Sequence, residues 1–295
     1  MNRHGTIIFL HHPKTAGITL YNLLRRKLIF SHLPSWLDLQ RARGYATLEF
    51  EDRVRLIQEL SARQQKGIRM CHGHFGFGMH EHFKVPSFYF SVYREPIARA
   101  YSAYKYISDR KTRIRLPPEA TVREALNAGP VLRNFMLDNQ QVRYMAGSRG
   151  EIIMNEPVTR TMLDVAIERL NNDIEVVGLQ EQFLETIVLL GRWCGWKSTA
   201  LVSYNKSGRA QGTQKASDLN QADRDALTEG NQFDLEFYEH VKMRFKRDLD
   251  RFGEAEMAAA LEKHEDQCRR DAWKIRTVDA LSSGLGKPLR RLTGS

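Results

Sequence analysis

The sequence predicts an α/β fold, a central and mostly parallel sheet flanked by helices, with a helical extension at the C-terminal end. Three observations carry this. Short apolar, β-rich runs alternate with longer stretches of helical periodicity. Two of those runs end in turns that open directly into helices. The stretch from residue 254 is charged, keeps helical spacing and carries no strand signal.

TIIFLH, residues 6–11, is the first strand, and Leu20, Leu23, Leu24 and Leu28 at helical spacing make residues 15–30 the helix that follows. Residues 35–66 are helical and charged in their second half. Gly67 closes that segment before IRMCH, residues 68–72, the second strand, and the glycine-rich turn GHFGFGMH comes next. SFYFSVY, residues 87–93, is the clearest strand, being aromatic and β-branched. Pro96 then sits where the first turn of a helix tolerates it, so residues 95–106 are helical. Helical segments over 121–146 and 159–172 precede a fourth strand, IEVVGL (174–179), which runs into a helix over 181–194. LVSYNKSGRAQG, from residue 201, reads as a strand and a polar loop. Residues 234–252 form an amphipathic helix and 254–276 a long charged one, and the tail to residue 295 is loosely held. Residues 1–253 thus make one domain and 254–295 the extension.

A chain of 295 residues, 42% hydrophobic and 27% charged, can bury one sizeable core, which excludes disorder throughout. The net charge of +10 favours an anionic partner: nucleic acid, a membrane surface, a nucleotide or an acidic sugar. Cys71, Cys194 and Cys268 are widely spaced with no CxxC pair, so neither a disulfide framework nor a zinc site is expected, and a reducing, cytoplasmic setting is. The first apolar run is too short for a secretory signal, and no run approaches membrane-spanning length.

The first turn, HHPKTAG, ends a strand and opens a helix, so it offers backbone N–H groups and the positive end of a helix dipole to an anion. Lys14 adds a point charge, Thr15 and Thr19 add hydroxyls, and Gly17 lets the backbone approach closely. The spacing is not GxxxxGK[ST], which disfavours an ordinary nucleoside triphosphatase. Taken alone, the same residues serve equally as a capping turn. The second turn, in FYFSVYREPIARAYSAY (88–104), repeats the pattern. Arg94 suits bidentate capture of a phosphate and Ser102, two turns into the helix, can add a hydroxyl. Alone, Arg94 could pair with Glu95 and Ser102 could be a surface residue. A nucleic-acid binder would account for the charge but not for the paired turns.

With both turns in view, the sequence resembles the sulfotransferases that use 3′-phosphoadenosine 5′-phosphosulfate (PAPS), and among them the heparan sulfate 2-O- and uronyl branch with its bacterial relatives. HHPKTAGITL is similar to their phosphosulfate loop and YREPIARAYSAY to their 3′-phosphate segment. CHGHFGF, DNQQVRYMAG, VVGLQEQFLETIVLL and FDLEFYEHVKMRF extend the resemblance over residues 7–245. It implies a P-loop nucleotide-kinase-like sulfotransferase fold, with PAPS as co-substrate and adenosine 3′,5′-bisphosphate as product. Lys14, Thr15, Ala16, Gly17, Ile18 and Thr19 would hold the 5′-phosphosulfate, and Arg94 and Ser102 the 3′-phosphate. Ile18 replaces the family's usual hydroxyl residue, which leaves the backbone contribution. The loop 205–212 takes the place of a basic flap, with Lys206, Ser207 and Arg209 as its candidate cofactor-binding residues, and it reads equally well as a plain solvent loop.

Sulfuryl transfer needs a base for the acceptor hydroxyl, and the resemblance places catalytic histidines at HGH: His74 as base and His72 beside it. Lys14 would stabilise charge growing on the leaving oxygen. No metal is required, and no ligand cluster of credible spacing is present in the sequence. The expected acceptor is a carbohydrate hydroxyl, with a lipid-linked or small-molecule hydroxyl as the alternative, and no nucleic-acid partner is expected. The competing readings are an atypical P-loop kinase and a noncatalytic nucleotide- or polyanion-binding protein, but no apolar strand ends in an evident magnesium-holding Asp.

Overall fold

The structure, a computed structural model, describes residues 5–29, 50–68, 70–108, 120–127, 129, 133–201 and 219–284. Four strands, β1 (Thr6–Leu10), β2 (Met70–Gly73), β3 (Ser87–Tyr93) and β4 (Ile174–Leu179), form one parallel sheet in the order β2-β1-β3-β4. From β1 the chain steps to one side, to β2. It then crosses back to β3 on the other side and continues outward to β4. The sheet therefore reverses direction beside β1 and β3, and the crevice outside their C-terminal ends is where an open α/β sheet takes its ligand.

The described helices, in chain order, are α1 (Gly17–Ile29), α2 (Phe50–Glu59), α3 (Ala62–Gln65), α4 (Pro96–Ser108), α5 (Val122–Asn127), α6 (Gln140–Ala146), α7 (Arg160–Asn172), α8 (Phe183–Cys194), α9 (Gln221–Gly230), α10 (Gln232–Phe252) and α11 (Glu254–Gly284). Successive strand residues point to opposite faces, so each strand feeds two cores. Ile8, Leu10, Tyr89 and Tyr93 pack with Leu163, Ala166 and Leu170 of α7 and Phe237, Val241 and Phe245 of α10. On the other face Phe9, Phe90, Val92 and Val176 pack with Leu20, Leu23 and Leu24 of α1 and Ile187 and Leu190 of α8. Each such fully buried side chain contributes about 1.5 to 3 kcal/mol. One irregularity interrupts the β3–β4 pairing at Tyr89/Phe90, and there the Glu175 carboxylate accepts the Tyr89 N–H at 2.7 Å.

Several expectations are corrected. The helix expected over 121–146 is three pieces: α5, a π-helical turn at Arg133–Leu137, and α6. Gly129 at φ 119° and Asn139 at φ 45° cannot continue a right-handed helix. Leu201 lies in no strand, and the loop that follows it, with Lys206, Ser207 and Arg209, lies outside the described residues. α9 was not anticipated; Asn220 starts it by accepting the Asp223 N–H at 2.8 Å. α11 runs past residue 276 to Gly284. It docks on the segment after α8, where Gln267 accepts the Thr199 N–H at 3.1 Å and donates to the Lys197 carbonyl at 3.2 Å. Among the described residues no helix is long and apolar enough to cross a membrane.

Candidate active site

β1 ends at Leu10 and α1 starts at Gly17, so residues 11–16 make the turn at the sheet's reversal point. Lys14 and Ala16 have φ of 72° and 61°, left-handed values that cost a non-glycine residue about 1 to 2 kcal/mol each. Thr15 between them does not share that sign. An alternation of this kind curls successive N–H groups into a concave nest for an anion. The Thr15 hydroxyl donates to the His12 carbonyl at 2.7 Å, so it closes the turn from inside and leaves the backbone to face a guest. Thr19 is buried in the first turn of α1, where its N–H donates to the Ala16 carbonyl at 3.1 Å. Gly17 has a packing reason for its identity: a Cβ there would lie 1.7 Å from Nε2 of His11.

Arg94 follows β3 directly, and its Nη1 donates to the Lys14 carbonyl at 3.2 Å, bringing the two sequence motifs together. Burial lowers its pKa, opposed by Glu181 and Glu95, but a guanidinium keeps its charge. The N-terminus of α4 is not an open anion site. The Glu95 carboxylate accepts the N–H groups of Ile97 at 3.0 Å and Ala98 at 2.6 Å, so these backbone donors are already used. Ser102 is half-buried further along α4. The Lys14 ammonium lies over the Tyr106 ring, 4.4 Å from its centre.

His72 and His74 leave the end of β2 beside this turn, as their spacing predicts, and they meet a third histidine that the motif reading missed. The His11 ring stacks on Phe9 at 5.1 Å and on His72 at 5.7 Å, and meets His74 tilted at 4.6 Å; Tyr21 covers His72 at 4.7 Å. Nδ1 of His74 lies 2.9 Å from the His11 carbonyl. A carbonyl only accepts, so Nδ1 carries the proton and the neutral ring has its lone pair on Nε2. Burial, and then the nearby His74, lower the His72 pKa to about 4, and burial with His74 and His72 holds His11 well below the ordinary histidine value. Both are neutral at neutral pH, which lets the rings stack. His12 faces away, buried between Tyr93 and Tyr144, and among the described residues its ring nitrogens have no hydrogen-bond partner.

The later motifs converge on the Arg94–Glu95 turn. Gln141, from DNQQVRYMAG, accepts the Arg94 N–H and donates to the Arg94 carbonyl, both at 3.1 Å. Glu181, from the segment after β4, accepts the Glu95 N–H at 3.0 Å and the Tyr238 hydroxyl at 2.9 Å. Asp234, from α10, accepts the N–H groups of Gln141 at 3.0 Å and Val142 at 2.8 Å. A polar cavity of about 280 Å³ between Arg133, Asp138, Arg143 and Glu156 is lined by none of the motif-predicted site residues. Among the described residues no group of three or more His, Cys, Asp or Glu is arranged to hold a metal ion.

The family model described as galactose-3-O-sulfotransferase matches residues 2–279. The chain belongs to the galactose-3-O-sulfotransferase family. No curated protein matches it. As a carbohydrate sulfotransferase it has the turn at residues 11–16, the Arg94 turn, HGH and most of α11 inside the matched span.

Proposed function

We propose that this sulfotransferase moves a sulfuryl group from PAPS to a carbohydrate hydroxyl, with His74 as general base. One observation carries the reading. The base and the 3′-phosphate arginine are both tied to the same four-residue stretch of the phosphate turn, His74 to the His11 carbonyl at 2.9 Å and Arg94 to the Lys14 carbonyl at 3.2 Å. The left-handed Lys14 and Ala16 give the turn the shape that a phosphosulfate requires, and Arg94 supplies a planar charge for the 3′-phosphate. Bound there, PAPS supplies the sulfuryl group and a leaving group, adenosine 3′,5′-bisphosphate.

The backbone of Thr15, Ala16, Gly17 and Ile18 holds the 5′ end, with Thr19 behind it. Arg94 and Ser102 hold the 3′ end. Nε2 of His74 takes the acceptor's proton as the new S–O bond forms, an assistance worth about 100-fold to 10,000-fold. His72, neutral and half-buried, orients the acceptor. As the S–O bond to the leaving phosphate breaks, the Lys14 ammonium stabilises the charge growing on that oxygen.

The family's description points to a galactose hydroxyl, whereas the HGH resemblance and the net charge of +10 point to an acidic, uronic-acid glycan. Radiolabelled PAPS offered with galactose-terminated and uronic-acid glycans separates the two. Transfer to a sugar hydroxyl of either kind is expected. Binding of PAPS without transfer to any carbohydrate, or phosphoryl transfer from ATP instead, overturns the reading.

A further inference from the structure

We propose that Gln141 is a positioning residue for the 3′-phosphate contact: its carboxamide sets the peptide from which Arg94 reaches the nucleotide. The inference rests on the assignment of Arg94 above. Arg94 stands one residue past the end of β3, where the strand ladder no longer holds its backbone. Gln141 takes over that role. Its Oε1 accepts the Arg94 N–H at 3.1 Å and its Nε2 donates to the Arg94 carbonyl at 3.1 Å. One flat amide thereby satisfies both polar groups of a single residue, as a neighbouring strand would.

The clamp is itself held rigid. Gln141 is fully buried, and its own N–H is accepted by the buried Asp234 at 3.0 Å. Asn139, two residues earlier, accepts the Asp234 N–H at 3.0 Å and donates its own N–H to Asn231 at 3.1 Å. The residues on either side of Arg94 are also gripped, Tyr93 through its carbonyl by the Gln180 N–H at 2.9 Å and Glu95 through its N–H by Glu181 at 3.0 Å. Three consecutive residues of the turn are therefore immobilised by side-chain or main-chain bonds from α6 and the segment after β4. A long arginine side chain gives bidentate contact only if its base is fixed, and ordering it before the ligand arrives removes that cost from binding. Both polar groups of Gln141 act on the arginine, which makes nucleotide discrimination their consequence.

The test compares adenosine 3′,5′-bisphosphate with adenosine 5′-monophosphate, which lacks the 3′-phosphate, by calorimetry on the full chain. Gln141→Met removes both bonds at nearly constant volume, and Gln141→Glu keeps the acceptor but loses the donor. Arg94→Ala is the reference. Each Gln141 variant should weaken the bisphosphate roughly tenfold or more and the monophosphate by less than about twofold, shifting the ratio toward that of Arg94→Ala. Equal weakening of both nucleotides makes Gln141 a purely structural residue and overturns the proposal, as does an unchanged ratio in a variant that folds. If Arg94→Ala itself leaves the ratio unchanged, the assignment of Arg94 fails first and the inference with it. Should Gln141→Met fail to fold, the ratio for Gln141→Glu decides alone.

Discussion

His11 joins three parts of the site that the motifs name separately. Its carbonyl orients His74, its ring stacks on His72, and the edge of that ring occupies the space where a Gly17 side chain would be. Gly17→Ala would place a methyl group 1.7 Å from Nε2, so the ring must move. We expect that variant to lose about 1 to 3 kcal/mol in denaturant unfolding, the usual range for overpacking. His11→Ala opens the same space, so the double variant should be more stable than the sum of the single losses. Strict additivity would mean that the ring does not sit on Gly17. His72 yields a second prediction. Its pKa of about 4 keeps it uncharged at neutral pH, so if protonation of the proposed base His74 makes turnover fall toward acid, His72→Gln should leave that acidic limb in place above about pH 5. Loss of that limb would make His72 the titrating base.

At the scale of elements, the site is a turn braced by two helices remote in sequence. Asn139, at the start of α6, makes no side-chain capping bond, and the carboxylate of Asp234 from α10 caps α6 instead. Burial raises the Asp234 pKa, and the buried Arg99 opposes this. Asp234→Ala removes the acceptors of two backbone N–H groups and a counter-charge of Arg99, so urea denaturation should show a loss of about 3 to 5 kcal/mol. A loss under about 1 kcal/mol would show that the carboxylate is not what holds α6. This bracing explains what the sequence could and could not reveal. The strands were legible because aromatic and β-branched runs have few other uses, and SFYFSVY and IEVVGL became β3 and β4 with the expected ends. The two strand–turn–helix junctions were legible because strand, basic residue and helix start are local. DNQQVRYMAG and FDLEFYEHVKMRF were recognisable only as strings, since the work of Gln141 and Asp234 depends on partners 47 and 93 residues away. His11 and α9 were missed for the same reason: an extra histidine and a polar stretch gain meaning only from what they pack against.

For the whole molecule, the lowered pKa values of His11, His12 and His72 set the sign of the acid response. Each is neutral in the fold but protonates near 6.5 when unfolded. Between those values the unfolded chain binds more protons, so stability is full above about pH 6.5 and falls as pH drops toward the folded-state value. His72 alone, going from 6.5 to about 4, should account for about 2 to 3 kcal/mol lost by roughly pH 4.5. Asp234, with its raised pKa, acts in the opposite direction. Thermal midpoints should therefore fall between about pH 7 and 4.5, and a flat profile would contradict the neutral histidine stack. In the proposed function the reversal point of the sheet carries a sulfuryl-transfer site with His74 as its base. Single-turnover transfer from radiolabelled PAPS to a carbohydrate acceptor, in the native chain and in His74→Ala, tests it most directly. The native chain should transfer, and His74→Ala should bind PAPS unchanged while transferring about 100-fold more slowly or worse; equal rates in the two proteins would contradict the account.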